Sequence, residues 1–103
     1  MRQSALDLGA REYQELVRIL GKYRWVGRFY AFGSRIRGRA RPFSDLDVLI
    51  RSPAAIAIRT LGAIERDLSE SRLPFRVDVV DAGRAAASFL AAIAGEAIEI
   101  RTD

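Results

Sequence analysis

Phe32-Gly33-Ser34-Arg35-Ile36-Arg37-Gly38-Arg39-Ala40-Arg41-Pro42-Phe43-Ser44-Asp45-Leu46-Asp47-Val48-Leu49-Ile50 decides how this chain is read. It couples a Gly-Ser turn, which comes after an apolar run, to a pair of acids that opens a β-type run. Strand side chains alternate between faces, so Asp45 and Asp47 share one face while Leu46, Val48 and Ile50 share the other. At about 3.3 Å rise per residue the two acids stand roughly 6–7 Å apart, close enough to converge on a divalent cation. Oxygen ligands without His or Cys favour Mg²⁺, with Mn²⁺ as the alternative. The bland reading makes Asp45 a turn or cap residue and Asp47 a solvated strand position.

The turn adds a second chemistry. Gly33 accepts φ > 0 and lets a phosphate approach the backbone. Ser34 brings a hydroxyl, and its neighbours bring N–H groups at a helix start. An ordinary Ser N-cap is the competing reading. A third acid, Asp78, lies in Phe75-Arg76-Val77-Asp78-Val79-Val80, with Val77 and Val79 on the opposite face. A carboxylate in a buried apolar strand is costly unless it is paired or binds metal.

Gly33-Ser34, Gly38 and Ser44-Asp45-Leu46-Asp47-Val48 together resemble the signature of the DNA polymerase β-type nucleotidyltransferase superfamily. The longer run Gly-Ser-Arg-x-Arg-Gly-x-Ala-Arg-Pro-x-Ser-Asp-Leu-Asp resembles its minimal nucleotidyltransferase (MNT) branch, and a looser likeness extends from about residue 10 to 101. The resemblance implies an α/β (α+β) fold with a small mixed sheet of about four strands covered by helices. It implies catalytic, metal-holding roles for Asp45, Asp47 and Asp78, with two Mg²⁺ ions. It also implies nucleotide contacts from Gly33, Ser34, Arg35 and Ser44. ATP is the implied co-substrate, and a HEPN-domain toxin is the implied partner, AMPylated on a tyrosine by its antitoxin. Two alternatives remain: an antitoxin that masks its partner without catalysis, or transfer to a small molecule or RNA.

The rest of the chain bounds these readings. Its 103 residues suit one domain, 1–103, with one modest core. There is no Cys and no His, so thiolate sites and His-based acid–base schemes are excluded and carboxylates must do any proton work. The net charge of +4 is carried almost wholly by Arg, Lys22 being the only Lys. That balance fits a nucleotide, an acidic partner protein or nucleic acid. No apolar run approaches the ~20 residues of a membrane span and nothing resembles a signal peptide, so a cytoplasmic protein is expected, without a membrane partner. Larger members of the resembled superfamily grip base and acceptor with an added domain, so the resemblance implies that a second protein, or a second copy of the chain, completes the site.

Periodicity predicts the order α-β-α-β-α-β-α-β. Met1 to Gly9 reads as a frayed lead-in and Ala10 to Tyr23 as a helix. Trp25 to Phe32 reads as the first strand, Ser34 to Ala40 as a short helix, and Asp45 to Arg51 as the second strand. Ala54 to Leu68 reads as a helix burying Ile58, Leu61, Ile64 and Leu68, and Arg76 to Val80 as the third strand. Asp81 reads as a helix cap rather than a ligand. Gly83 to Ala94 reads as a helix burying Phe89, Leu90 and Ile93, with Gly95 as its C-cap, and Ala97 to Arg101 as a last edge strand. The short link between the first two strands argues for an antiparallel or mixed sheet.

Overall fold

The computed structural model describes residues 6–36 and 44–102. Helix α1 (Ala10–Gly21) leads into strand β1 (Arg28–Phe32), which runs into a 3₁₀ turn over Gly33–Arg35. Strand β2 (Leu46–Arg51), helix α2 (Ile58–Ser69) and strand β3 (Val77–Asp81) come next. A second 3₁₀ turn, Ala82–Arg84, precedes helix α3 (Ala87–Ile93) and strand β4 (Ile98–Ile100).

The sheet has four strands in the order β3-β2-β1-β4. β1 is antiparallel to both β2 and β4, while β2 and β3 run parallel. The parallel pair is joined through α2, because parallel neighbours need a long crossover. The mixed sheet agrees with the expectation from the short β1–β2 link, and β4 is an edge strand as its alternation suggests.

Alternation sorts the strand residues onto two faces. Phe29, Ala31, Leu46, Val48 and Ile50 meet Leu16, Ile19 and Leu20 of α1 and Ile64 and Leu68 of α2 in the main core. Tyr30, Phe32, Leu49 and Val80 project from the other face, where, among the described residues, the short α3 packs through Leu90 and Ile93. Among the described residues one face is thus covered by two long helices and the other by one short one. The acids lie on that second face. At the helix ends, Tyr23 Oη and Lys22 Nζ both donate to Asp67 Oδ2, at 2.5 and 3.1 Å, clasping the end of α1 to α2.

Several local expectations are corrected. Leu6 to Gly9 is not frayed: Leu6 is buried and bridges Ile36, and the Asp7 N–H donates to the Arg35 carbonyl. Trp25 is outside β1, in the turn after α1, and is 71% exposed; turn hydrogen bonds after Gly21 override its β propensity. The helix expected from Ser34 is only the 3₁₀ turn, since Ile36 is already extended and pairs with Leu6. Its continuation over residues 37–40, and the Arg37, Arg39 and Arg41 side chains, lie outside the described residues.

Ile58 is 69% exposed because α2 starts there, after Ala57, and Ile56 takes the buried place instead. Phe89 is 37% exposed and meets Phe32 edge-to-face at 5.6 Å between centroids. Gly95 does not take the left-handed cap conformation; among the described residues Gly33 is the positive-φ glycine. Asp81 caps the second 3₁₀ turn, accepting from the Gly83 N–H at 2.9 Å.

Candidate active site

The parallel register sets Asp47 of β2 directly opposite Asp78 of β3. Neighbouring strands lie about 4.8 Å apart, so both carboxylates rise side by side from one face. Asp45 stands two residues before Asp47 on the same parity. The ladder reaches it as well, because the Leu46 N–H donates to the Arg76 carbonyl at 2.9 Å. The three sequence-predicted acids therefore gather at one end of the second face.

The Gly33 turn closes on this group. Phe32 is the register partner of Asp47, which brings Gly33, the next residue, against the Asp47 carboxylate. Gly33 has φ +88°, and a Cβ placed there would run into Asp47 Oδ2 and stand 3.2 Å from its Cγ. Only glycine admits both the conformation and the approach. Its N–H donates to Glu96 Oε2 at 3.3 Å. Ser34 is exposed beside it.

Burial pushes the Asp47 carboxyl above its ordinary value, and the charges of Asp78 and Asp45 push it further the same way. Mutual repulsion among half-solvated carboxylates is what a bound cation relieves. Arg76 partly relieves it within the chain: Nη2 is 3.4 Å from Asp45 Oδ2 and Nε is 3.2 Å from Asp78 Oδ1. Among the described residues no three acids are placed closely enough to form a ready-made metal cage. The donor set nonetheless fits Mg²⁺, being oxygen-only, on one face, and beside a backbone cradle that a side chain would fill.

Arg35 and Ser44 sit differently from Gly33 and Ser34. The Arg35 side chain is buried, its Nε donating to the Ser44 carbonyl at 2.8 Å and its Nη1 to the Asp7 carbonyl at 3.0 Å. Its guanidinium also lies 4.0 Å from the centre of the Phe75 ring. Arg35 thus ties the turn to the residue just before Asp45. Ser44 is half-buried and enters this network through its carbonyl.

Two site residues escaped the sequence reading. Arg76 was legible in principle, since it lies two residues before Asp78 and so shares its face. Glu96, between α3 and β4, had no local signal; only folding brings it to Gly33.

The sequence model of the family described as "Polymerase beta, Nucleotidyltransferase" matches residues 14–102. The chain belongs to this nucleotidyltransferase family. Within it, the chain is 42% identical over 52 residues to a probable protein adenylyltransferase MntA of Haemophilus influenzae. That match takes in 50% of this chain and 46% of the relative, so the chain spans about half the length of the curated protein it matches.

Solved structures share the fold. A toxin–antitoxin complex with AMP-PNP superposes with a TM-score of 0.70 at 18% identity, covering 88% of this chain and 73% of that one. The MntA–HepT toxin–antitoxin complex gives 0.67 at 14% identity, covering 92% and 74%. A tri-AMPylated Shewanella oneidensis HEPN toxin in complex with MNT antitoxin gives 0.67 at 16% identity, covering 90% and 71%. The mixed four-stranded sheet is thus the MNT type of the polymerase β-like fold. Among the described residues no helix is long and apolar enough to cross a membrane.

Proposed function

We propose that this chain is an Mg²⁺-dependent nucleotidyltransferase that transfers AMP from ATP to a hydroxyl, a tyrosine of a HEPN-type partner toxin, and so acts as an antitoxin. The observation that carries the reading is the register of Asp47 against Asp78, with Asp45 and the Gly33 turn at the same end of the sheet. The 42% identity to an MntA-type protein adenylyltransferase supports the AMP-transfer part. The partner part is supported by the fold shared with MNT antitoxins solved beside HEPN toxins.

Each group in the site has its own share of the work. Asp45, Asp47 and Asp78 would hold Mg²⁺. Bound there, Mg²⁺ neutralises the triphosphate and acidifies the attacking hydroxyl. The Gly33 N–H and the Ser34 hydroxyl hold the β- and γ-phosphates, which requires Glu96 to give up its bond to Gly33. Arg35, through Ser44, keeps the turn and Asp45 in fixed relation. The acceptor oxygen bonds to the α-phosphorus as the bond to the bridging oxygen breaks, and pyrophosphate leaves. Asp78, at the open side of the face, takes the acceptor proton, since the chain has no histidine. Positioning and charge stabilisation supply most of the rate in such transfers.

The test is labelling of the co-purified partner with α-labelled ATP. Wild type labels it and Asp47→Asn does not; full labelling by Asp47→Asn ends the proposal. If Asp47→Asn loses labelling yet still neutralises the partner in cells, neutralisation works by masking instead.

A further inference from the structure

Arg76 occupies an unusual position for a surface arginine. Asp45 directly precedes β2 and Asp78 lies in β3, and the guanidinium reaches both, through Nη2 at 3.4 Å and Nε at 3.2 Å. Its side chain is 73% exposed, and those of Asp45 and Asp78 are 46% and 42% exposed. Pairs so solvated are weak and exchange readily. A guanidinium cannot ligate a cation, and its positive charge beside these two carboxylates opposes a second cation there. Asp47, deeper in the group, is in neither ion pair.

We propose that Arg76 is the resident counter-cation of the acid group, competing with divalent ions for Asp45 and Asp78 and so setting the concentration at which the site loads. The inference rests on the metal-holding role of the three acids proposed above. In the metal-free protein Arg76 bridges Asp45 and Asp78 and offsets part of their charge. When a divalent ion takes these carboxylates, the guanidinium is released at the open rim of the same face. There its planar fork is suited to the negative charge of an incoming nucleotide. Arg76 is in this sense a positioning residue that acts through Asp45 and Asp78.

The experiment is titration of the metal-free protein with Mn²⁺ alone, monitored by the paramagnetic resonance signal of free Mn²⁺. Wild type, Arg76→Lys, Arg76→Gln and Asp47→Asn are compared. Arg76→Gln removes the competitor and binds Mn²⁺ about two- to ten-fold more tightly than wild type, the range expected from losing two exposed ion pairs. Arg76→Lys keeps a charge but cannot span both carboxylates, and falls between the two. Asp47→Asn binds weakly or not at all. Equal affinities for wild type, Arg76→Lys and Arg76→Gln, or weaker binding by Arg76→Gln, overturn the inference while leaving the metal seat intact. Wild-type protein that binds no Mn²⁺ in an Asp47-dependent way overturns the metal seat itself and this inference with it. The exposed position of Arg76 makes all three side chains compatible with folding, which the circular dichroism spectrum checks.

Discussion

Gly33 and Asp47 compete for one volume: a Cβ on Gly33 would collide with Asp47 Oδ2. The contact couples the backbone of the Gly33 turn to the central acid, so a change at either is felt by both. Gly33→Ala adds a left-handed strain of about 1–2 kcal/mol to that collision. Urea unfolding should show at least that loss, and nucleotidyl transfer should fall to background because the Asp47 carboxylate must move. Wild-type activity in Gly33→Ala would mean that the turn and the acid are not coupled.

Asp47→Asn separates stability from function. The folded state raises the Asp47 pKa, so its contribution to stability is greatest below the unfolded value and is lost as pH rises through the folded value. At neutral pH the charged carboxylate therefore works against folding. The amide removes that charge, and the metal-free variant should melt above wild type at pH 7. Mg²⁺ should raise the melting temperature of wild type and leave that of Asp47→Asn unmoved. A lower melting temperature for the metal-free variant would show that Asp47 is held by favourable contacts instead.

Arg35 is expected to matter for folding more than for ligand. Its buried guanidinium serves two carbonyls and stacks on Phe75. Arg35→Met fills part of the space but orphans both acceptors, and should cost about 2–4 kcal/mol in urea unfolding. Arg35→Lys should recover only part of this, because an ammonium cannot reproduce the planar fork. A direct phosphate contact predicts the opposite: little loss of stability and a large loss of ATP affinity.

The acid limb of stability should report on Glu15. The Arg18 side chain, and then the Arg72 N–H, hold its carboxyl down at about 2 against an ordinary 4.5. A depressed carboxylate stabilises the fold above the unfolded value, and that stability is lost as pH falls toward the folded one. The window is therefore from about 4.5 to about 2. Glu15→Gln should flatten the fall of melting temperature across this window and lower it at pH 7. An unchanged acid limb would place the titration elsewhere.

The clasp of Tyr23 on Asp67 gives a matching signal at the alkaline end. The hydrogen bond to Asp67 raises the Tyr23 pKa and lowers that of Asp67. The Tyr23 contribution is present below pH ~10 and is lost as pH rises through the folded value. Tyr23→Phe should lower the melting temperature at pH 7 and remove the alkaline decline above pH ~10. A decline that persists in Tyr23→Phe would belong to another group.

Much of the site was legible before folding because it is local. Asp45 and Asp47 announce themselves by a spacing of two in a β-type run, and Gly33 by its place after an apolar strand. The β alternation of Leu46, Val48 and Ile50 already assigns them to the core, where they are found. Local pattern misled where neighbours decided the outcome. Trp25 has strand propensity but sits in a turn, and Ile58 has helical spacing but stands at a helix start facing solvent.

Residue types and their spacing were enough to define the available chemistry: oxygen ligands without histidine or cysteine, a turn that needs glycine, and alternation that puts each acid opposite its apolar neighbours. Which acids meet was settled in three dimensions. Asp78 stands beside Asp47 because β3 pairs parallel to β2 in one register, and a shift by one residue would turn it to the other face. Glu96 at the Gly33 N–H and Arg76 between Asp45 and Asp78 depend on that same packing. Charges distant in the chain interact only after the backbone has fixed their separation, and no spacing in the sequence encodes that distance.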